Sequence, residues 1–231
     1  MIDKRLNYGR HLLRRFFPEN SPTVALDLGA GFGDDLLALK AKNQDSRLIA
    51  VENFPEYVKL LEAKGIETIK IDLEKESIPL APESVDVVIA NQILEHCKDI
   101  WWVLHQISTV LKPGGHLIVG VPNLASLHNR LLLAVGEQPT AIHNNSAHVR
   151  GYTKGDFLKF LESGHPNGYV LRDFGGSNFY PFPPFVAKPL AQVWAQAAWG
   201  IFFKLEKVKP YESGFLEFPI REQLETRFFL G

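Results

Sequence analysis

A single cysteine, Cys97, stands in the 231 residues, so no disulfide can close within the chain and no cysteine cage can hold zinc. That usage fits a reducing compartment, and a cytoplasmic location is expected. An excess of charge of either sign is missing too. Lys and Arg number 25 against 26 Asp and Glu, a formal net charge of -1, which exerts no overall pull towards nucleic acid or anionic membrane. Long apolar runs are also absent. The opening MIDKRLNYGRHLLRRFF is broken by charges and lacks the apolar core of a signal peptide. The richest stretch, Phe185 to Phe203, is interrupted by Lys188, Pro189 and two glutamines, and falls short of the roughly 20 residues that span a bilayer.

What is present is an alternation of strand and helix patterns. Leu6, Leu12, Leu13, Phe16 and Phe17 predict an amphipathic opening helix ended by Pro18. Short Val/Ile/Leu-rich runs predict strands at 23–28, 47–51, 66–71, 85–90 and 116–121, with helices at about 34–42, 55–64 and 100–111 between them and a Lys112-Pro-Gly-Gly115 turn before the fifth strand. Strands without polar alternation, separated by helices, imply an α/β fold with a parallel sheet covered on both faces. Beyond Pro122 the pattern loosens. A helix at 124–135, a polar stretch at 136–150, a capping box at Thr153 opening a helix to Ser163, a sixth strand at 169–174, a helix at 190–198 and a seventh strand at 200–208 are expected. Tyr180 to Phe185, with three prolines, should be irregular, and the tail after Pro210 has no period. Residues 1–208 would form the domain, with about 122–152 and 175–199 covering an acceptor, and 209–231 a tail.

The sharpest motif is Asp27-Leu-Gly29-Ala-Gly31-Phe-Gly33, between the first strand and its helix. Glycines there permit a tight turn and bring a ligand against bare N–H groups at a helix N-terminus. Dinucleotide sites use G-x-G-x-x-G and receive a pyrophosphate. Here the spacing is G-x-G-x-G, and Asp34 and Asp35 follow at once. Acids at that position repel a pyrophosphate, and Asp27 suits an ammonium group, directly or through water. Glu52 ends the second strand, where a carboxylate can take both ribose hydroxyls.

Together with Ile71-Asp72-Leu73, Val85-Asp-Val-Val-Ile89, Gln92-Ile-Leu-Glu-His96 and Leu111-Lys-Pro-Gly-Gly-His-Leu-Ile-Val119, these motifs resemble, in order and spacing, the class I S-adenosylmethionine-dependent methyltransferases. The resemblance is close over 23–122, and His148-Val-Arg-Gly-Tyr-Thr153 is similar to the subset acting on small molecules, quinones and sugars. It implies a Rossmann-like, seven-stranded, mostly parallel sheet with an antiparallel last strand inserted beside the fifth. It also implies S-adenosyl-L-methionine as cofactor, with S-adenosyl-L-homocysteine as product. Asp27, Gly29, Gly31 and the loop's Gly33 would hold the methionine end, Glu52 the ribose, Asn53 would lie beside the adenine, and Asp72 with the Leu73 backbone would bind it. Asn91 and Gln92 would line the floor near the sulfonium. Tyr8 would reach over the donor, or else pack as a core aromatic of the opening helix.

Methyl transfer needs alignment and exclusion of water, with a base where the nucleophile is a hydroxyl. His148 and His96 are the candidate bases; Glu95 and His143 also fall near the strand ends, and His96 reads equally as a structural histidine. Arg150 could pair with an anionic acceptor. His143, His148, Glu95 and His96 could together make a metal site, but no ligand pair shows helical metal spacing, so no metal is expected. Cys97 reads as a small buried apolar residue. The aromatic region 174–203 would be extra packing, an acceptor lid or a surface touching a lipid-linked substrate, so peripheral membrane contact stays open. The expected partner is a small-molecule acceptor met by a monomer or homodimer. O-methylation leads; N- or C-methylation, RNA or protein methylation, and a non-catalytic donor-binding protein are the alternatives.

Overall fold

The first strand, β1 (Val24–Leu28), shows how the sheet is built: Ala25 packs on one face while Leu26 and Leu28 pack on the other, and all three are fully buried. The computed structural model describes residues 9–19 and 23–226, so Tyr8 lies outside the described residues. Helix α1 (Arg10–Phe16) precedes β1, and α2 (Asp34–Lys42), β2 (Arg47–Val51), α3 (Pro55–Ala63), β3 (Glu67–Ile69), β4 (Val85–Asn91), α4 (Ile100–Val110) and β5 (Leu111–Pro122) follow. Then come α5 (Leu127–Ala134), α6 (Lys154–Gly164), β6 (Tyr169–Ser177), α7 (Pro184–Val193), β7 (Gly200–Lys207) and α8 (Gly214–Arg221).

The sheet order is β3-β2-β1-β4-β5-β7-β6. Pairings from β3 through β5 are parallel, while β7 runs antiparallel to both β5 and β6. This is the expected doubly covered sheet with an antiparallel seventh strand beside the fifth. One face is packed by Leu12, Leu13, Phe16, Leu36, Leu39 and Leu61. The other is packed by Val103, Leu104, Ile107, Phe157, Leu161 and Phe215. The order reverses between β1 and β4, and a ligand crevice opens at the carboxyl ends of strands at such a point.

Several boundaries differ from the sequence reading. Strand β3 keeps only three of its six expected residues. The Lys112–Gly115 turn sits inside β5 as a bulge, with Val85 and Val87 of β4 facing Leu111 and His116. Helix α7 begins at Pro184, within the proline-rich stretch expected to be irregular, because proline at the first helical turn loses no hydrogen bond. It ends at Val193, five residues before the expected end. The capping box holds, with the Thr153 hydroxyl accepting from the Asp156 amide. Beyond Lys207, where no period was legible, α8 packs Phe215 fully into the core beside Trp101, Phe160 and Tyr211.

Candidate functional site

Asp27 is the penultimate residue of β1 and is only 4% exposed. The chain then turns through Gly29, Gly31 and Gly33, all at positive φ, before α2 begins. A side chain at Gly33 would run into Leu61 and Ile66, whereas Gly31 faces open space. Gly33 therefore serves packing, and Gly31 leaves room for a ligand against the backbone. The loop is pinned from β2: Gly29 N–H donates to the Val51 carbonyl at 2.8 Å, and Gly31 N–H donates to Glu52 Oε2 at 2.9 Å. The other Glu52 oxygen accepts from the amides of Asn53 and Phe54, both at 2.9 Å.

Negative charge accumulates here. Burial above all, then Asp35 and Glu52, push the Asp27 carboxyl well above the usual carboxylate range, while Arg10 opposes them. Burial likewise raises Asp35, opposed by the Asn91 amide, which donates to Asp35 Oδ2 at 2.9 Å, and by Arg10. Arg10 reaches Asp34 at 2.6 Å and Asp35 at 3.7 Å. The other amide atom of Asn91, Oδ1, is buried without a hydrogen-bond partner. The sequence marks Asp35 only as an acid that repels a pyrophosphate; the fold brings it, with Arg10, to Asn91 at the end of β4. Phe32 and Phe54, largely exposed, flank Tyr57 at ring separations of 5.1 and 5.8 Å and form an aromatic rim beside Glu52.

The remaining expected donor residues are spread along the same strand ends. Asn53 is exposed. Asp72 accepts from the Glu74 amide and pairs with Lys75 at 2.6 Å. The Leu73 carbonyl accepts from Gln106. Gln92 adopts φ 57° and donates its amide to the Gly120 carbonyl.

A second group gathers after β4, where residues 94–96 make one 3-10 turn. The loop before α6 is zipped onto that turn. Val149 and Arg150 amides donate to the Glu95 carbonyl, the Arg150 guanidinium to the Cys97 and Lys98 carbonyls, and the Tyr152 hydroxyl to the Leu94 carbonyl. These bonds set the His96 and His148 rings edge to face, 4.8 Å apart. Burial holds His96 below its usual pKa, with the nearby Ala147 carbonyl opposing and His148 adding to the depression. Glu95 is 1% exposed, and burial pushes its carboxyl up to about 8. His143 turns away, its Nε2 3.0 Å from the Gln138 carbonyl. Burial raises the Cys97 thiol to about 12, which leaves it an inert core group.

Beyond β5, the buried Asn123 side chain donates to the Gln196 and Ala198 carbonyls and so joins α5 to the segment before β7. A cavity of about 460 Å³ opens beside them, lined by His128, Gln138, His143, Tyr180 and Trp199 among others. No helix of the described residues is long and apolar enough to cross a membrane.

Residues 26–119 match the methyltransferase domain family. The chain is 27% identical over 168 residues to a ubiquinone biosynthesis O-methyltransferase of Xylella fastidiosa, covering 68% of this chain and 65% of the relative. It is 29% identical over 134 residues to the trans-aconitate 2-methyltransferase of Methylobacterium radiotolerans, covering 58% and 51%. It thus spans less than two thirds of the length of either relative. The crystal structure of an S-adenosylmethionine-dependent methyltransferase from Mesorhizobium loti superposes with a TM-score of 0.61 at 18% identity, over 87% of this chain and all of that one, which shows a shared fold. Residues 26–119 thus resemble a methyltransferase domain, and the order of the seven strands agrees with the fold of the solved S-adenosylmethionine-dependent methyltransferase.

Proposed function

We propose that this chain transfers a methyl group from S-adenosylmethionine to a hydroxyl of a small-molecule acceptor. The observation that carries the reading is the end of β1, where Gly31 faces open space with its amide on Glu52, and Asp27 lies within electrostatic reach of Glu52 and Asp35. Such a surface suits a ligand bearing positive charge and repels one bearing phosphate.

The residues present fit the donor on this chain's own evidence of polarity. Each Glu52 oxygen already takes one or two amide donors and keeps lone-pair capacity for ribose hydroxyls. Asp27 and the amides of the glycine loop would hold the amino-acid end, Asn91 and Gln92 the floor, Asn53, Asp72 and Leu73 the adenine side. When bound, the sulfonium supplies an activated methyl and a neutral leaving group. The protein's part is then to orient the acceptor oxygen, exclude water and accept one proton. His96 and His148 stand at the carboxyl end of β4 with their Nδ1 atoms turned to backbone carbonyls, so a neutral ring presents Nε2 as the proton acceptor. The cavity beside His143 and Tyr180 has room for a ring-sized acceptor. The names of the two relatives, one acting on a ubiquinone precursor's oxygen and one on trans-aconitate, favour a small molecule over RNA or protein.

The test is incubation with methyl-labelled donor and pools of phenols, sugars and carboxylic acids, with products resolved by mass spectrometry. An O-methyl product lost in a His96→Ala, His148→Ala double variant that still binds donor supports the reading. Label appearing only on nitrogen, or only in RNA or protein, overturns it.

A further inference from the structure

We propose that the outward faces of α7 and α5 form a docking surface for the interface of an anionic lipid bilayer. Helix α7 turns Ala187 and Ala191, one turn apart, into a buried cluster with Phe179 and Ala198. A surface helix ordinarily carries polar side chains on its other side. Here the other side presents Phe185, Pro189 and Val193 at four-residue spacing, with Phe185 79% and Val193 88% exposed. Side chains that open to solvent add nothing to the core.

Helix α5 widens the surface. Leu127 packs on the same buried cluster, the His128 ring meets Tyr180 at 4.6 Å, and the Arg130 guanidinium lies 5.8 Å from the centre of the Trp194 ring. These contacts set the exposed Leu131 and Leu133 of α5 alongside the exposed Phe182 and Trp194 that flank α7. The result is a contiguous apolar face of the kind that marks an interaction site.

Charge selects the occupant. Residues 124–136 and 178–199 hold no Asp or Glu, although the chain has 26, and their two full charges, Arg130 and Lys188, are both positive. The net charge of -1 gives the whole chain no attraction to a membrane, but a face with cations and no carboxylates is drawn to anionic headgroups locally. A second copy fits less well, because an isologous pair would bring two more cations to the face and no acid to answer them. Tyr180 and Trp194, both partly exposed, have the amphipathic rings that settle at headgroup level. At ten residues, or about 15 Å, α7 is too short to span a bilayer and lies flat in its interface. His128 and Tyr180 also line the cavity beside His143, so docking sets that cavity against the lipid surface. The docking itself does not depend on the proposed function.

The full chain is co-sedimented with vesicles of phosphatidylcholine alone or of phosphatidylcholine mixed with phosphatidylglycerol, at low and high salt. The expected result is binding to the mixed vesicles that salt weakens, with less binding to phosphatidylcholine alone. The double variant Phe185→Ser, Val193→Ser should bind at least about tenfold more weakly to both. Lys188→Gln should lose roughly fivefold on the mixed vesicles only. Arg14→Gln, on the exposed basic side of α1, should bind as wild type does. Far-ultraviolet dichroism and donor affinity, measured in each variant, exclude misfolding. Absence of binding to either vesicle, binding unchanged in the double variant, or an equal loss in Arg14→Gln and Lys188→Gln overturns the proposal. A dimer seen by light scattering that the double variant dissociates, with vesicles left unbound, gives the face to a second copy and overturns it as well.

Discussion

Removing the charge of Glu95 without removing its shape should remove one component of the protein's pH-dependent stability. Burial disfavours the ion and pushes the Glu95 carboxyl up to about 8 from its ordinary value of 4.5. The nearby Arg150 docks its amide on the Glu95 carbonyl and turns its guanidinium to the Cys97 and Lys98 carbonyls, not to the carboxyl. The sign follows from proton counting. Between pH 4.5 and 8 the folded state keeps a proton that the unfolded state has released, so stability falls as pH rises through that window and levels off above it. Each tenfold change in proton affinity is about 1.4 kcal/mol, which sets a ceiling of about 5 kcal/mol on the loss. For a chain of this length that corresponds to roughly 10 °C in melting temperature. Glu95→Gln carries no ionisable group there. Wild type and variant should match at pH 5, and the variant should be the more stable at pH 9, as measured by denaturant unfolding at both pH values. A difference between the two proteins that stays constant from pH 5 to 9 refutes the reasoning, since it means that the carboxylate finds solvent or a donor in the folded state.

Three further outcomes are expected. Glu52→Ala should weaken donor binding by about 1–3 kcal/mol in calorimetry, the range for losing a partner of buried polar groups; unchanged affinity places the ribose elsewhere. Phe215→Ala should cost about 3–5 kcal/mol in chemical denaturation, since its ring is fully buried, whereas a cost under about 1 kcal/mol would show α8 to be dispensable to the core. If His96 is the base, the rate of methyl transfer should rise with an inflection below pH 6.5, the direction that burial sets for this imidazole, and an inflection above 7 assigns the step to another group.

The sheet was legible because each buried strand writes its own run of Val, Ile and Leu, and each turn its own glycine or proline. Where the reading failed, local pattern had been outvoted. Helix α8 shows no convincing period, with Pro219 inside it, yet Phe215 and Phe218 anchor it against Trp101, and Phe215 against Phe160 as well. Helix α7 was started six residues too late because prolines were counted as breakers, although Pro183 and Pro184 sit at the cap and first turn, where proline is favoured.

The two halves of the site differ for a related reason. The proposed donor crevice is made of residues placed by short-range geometry, a glycine turn and the strand ends on either side of it. A linear motif therefore carries nearly all of it, missing only Arg10 and the inward turn of Asp35. The second cluster has no such motif. Glu95 and His96 are adjacent on a 3-10 turn, and their partner arrives on a loop held by backbone bonds to the Glu95 carbonyl and by the Arg150 and Tyr152 side chains, long-range contacts that no local motif announces. What distinguishes the cluster is the pairing of two histidines with an acid that has no other partner, and only the folded coordinates place them together. A site built that way can change its chemistry by single substitutions at 95, 96 or 148 while the crevice and the sheet stay intact, which is how one methyl-donor fold can serve acceptors of different kinds.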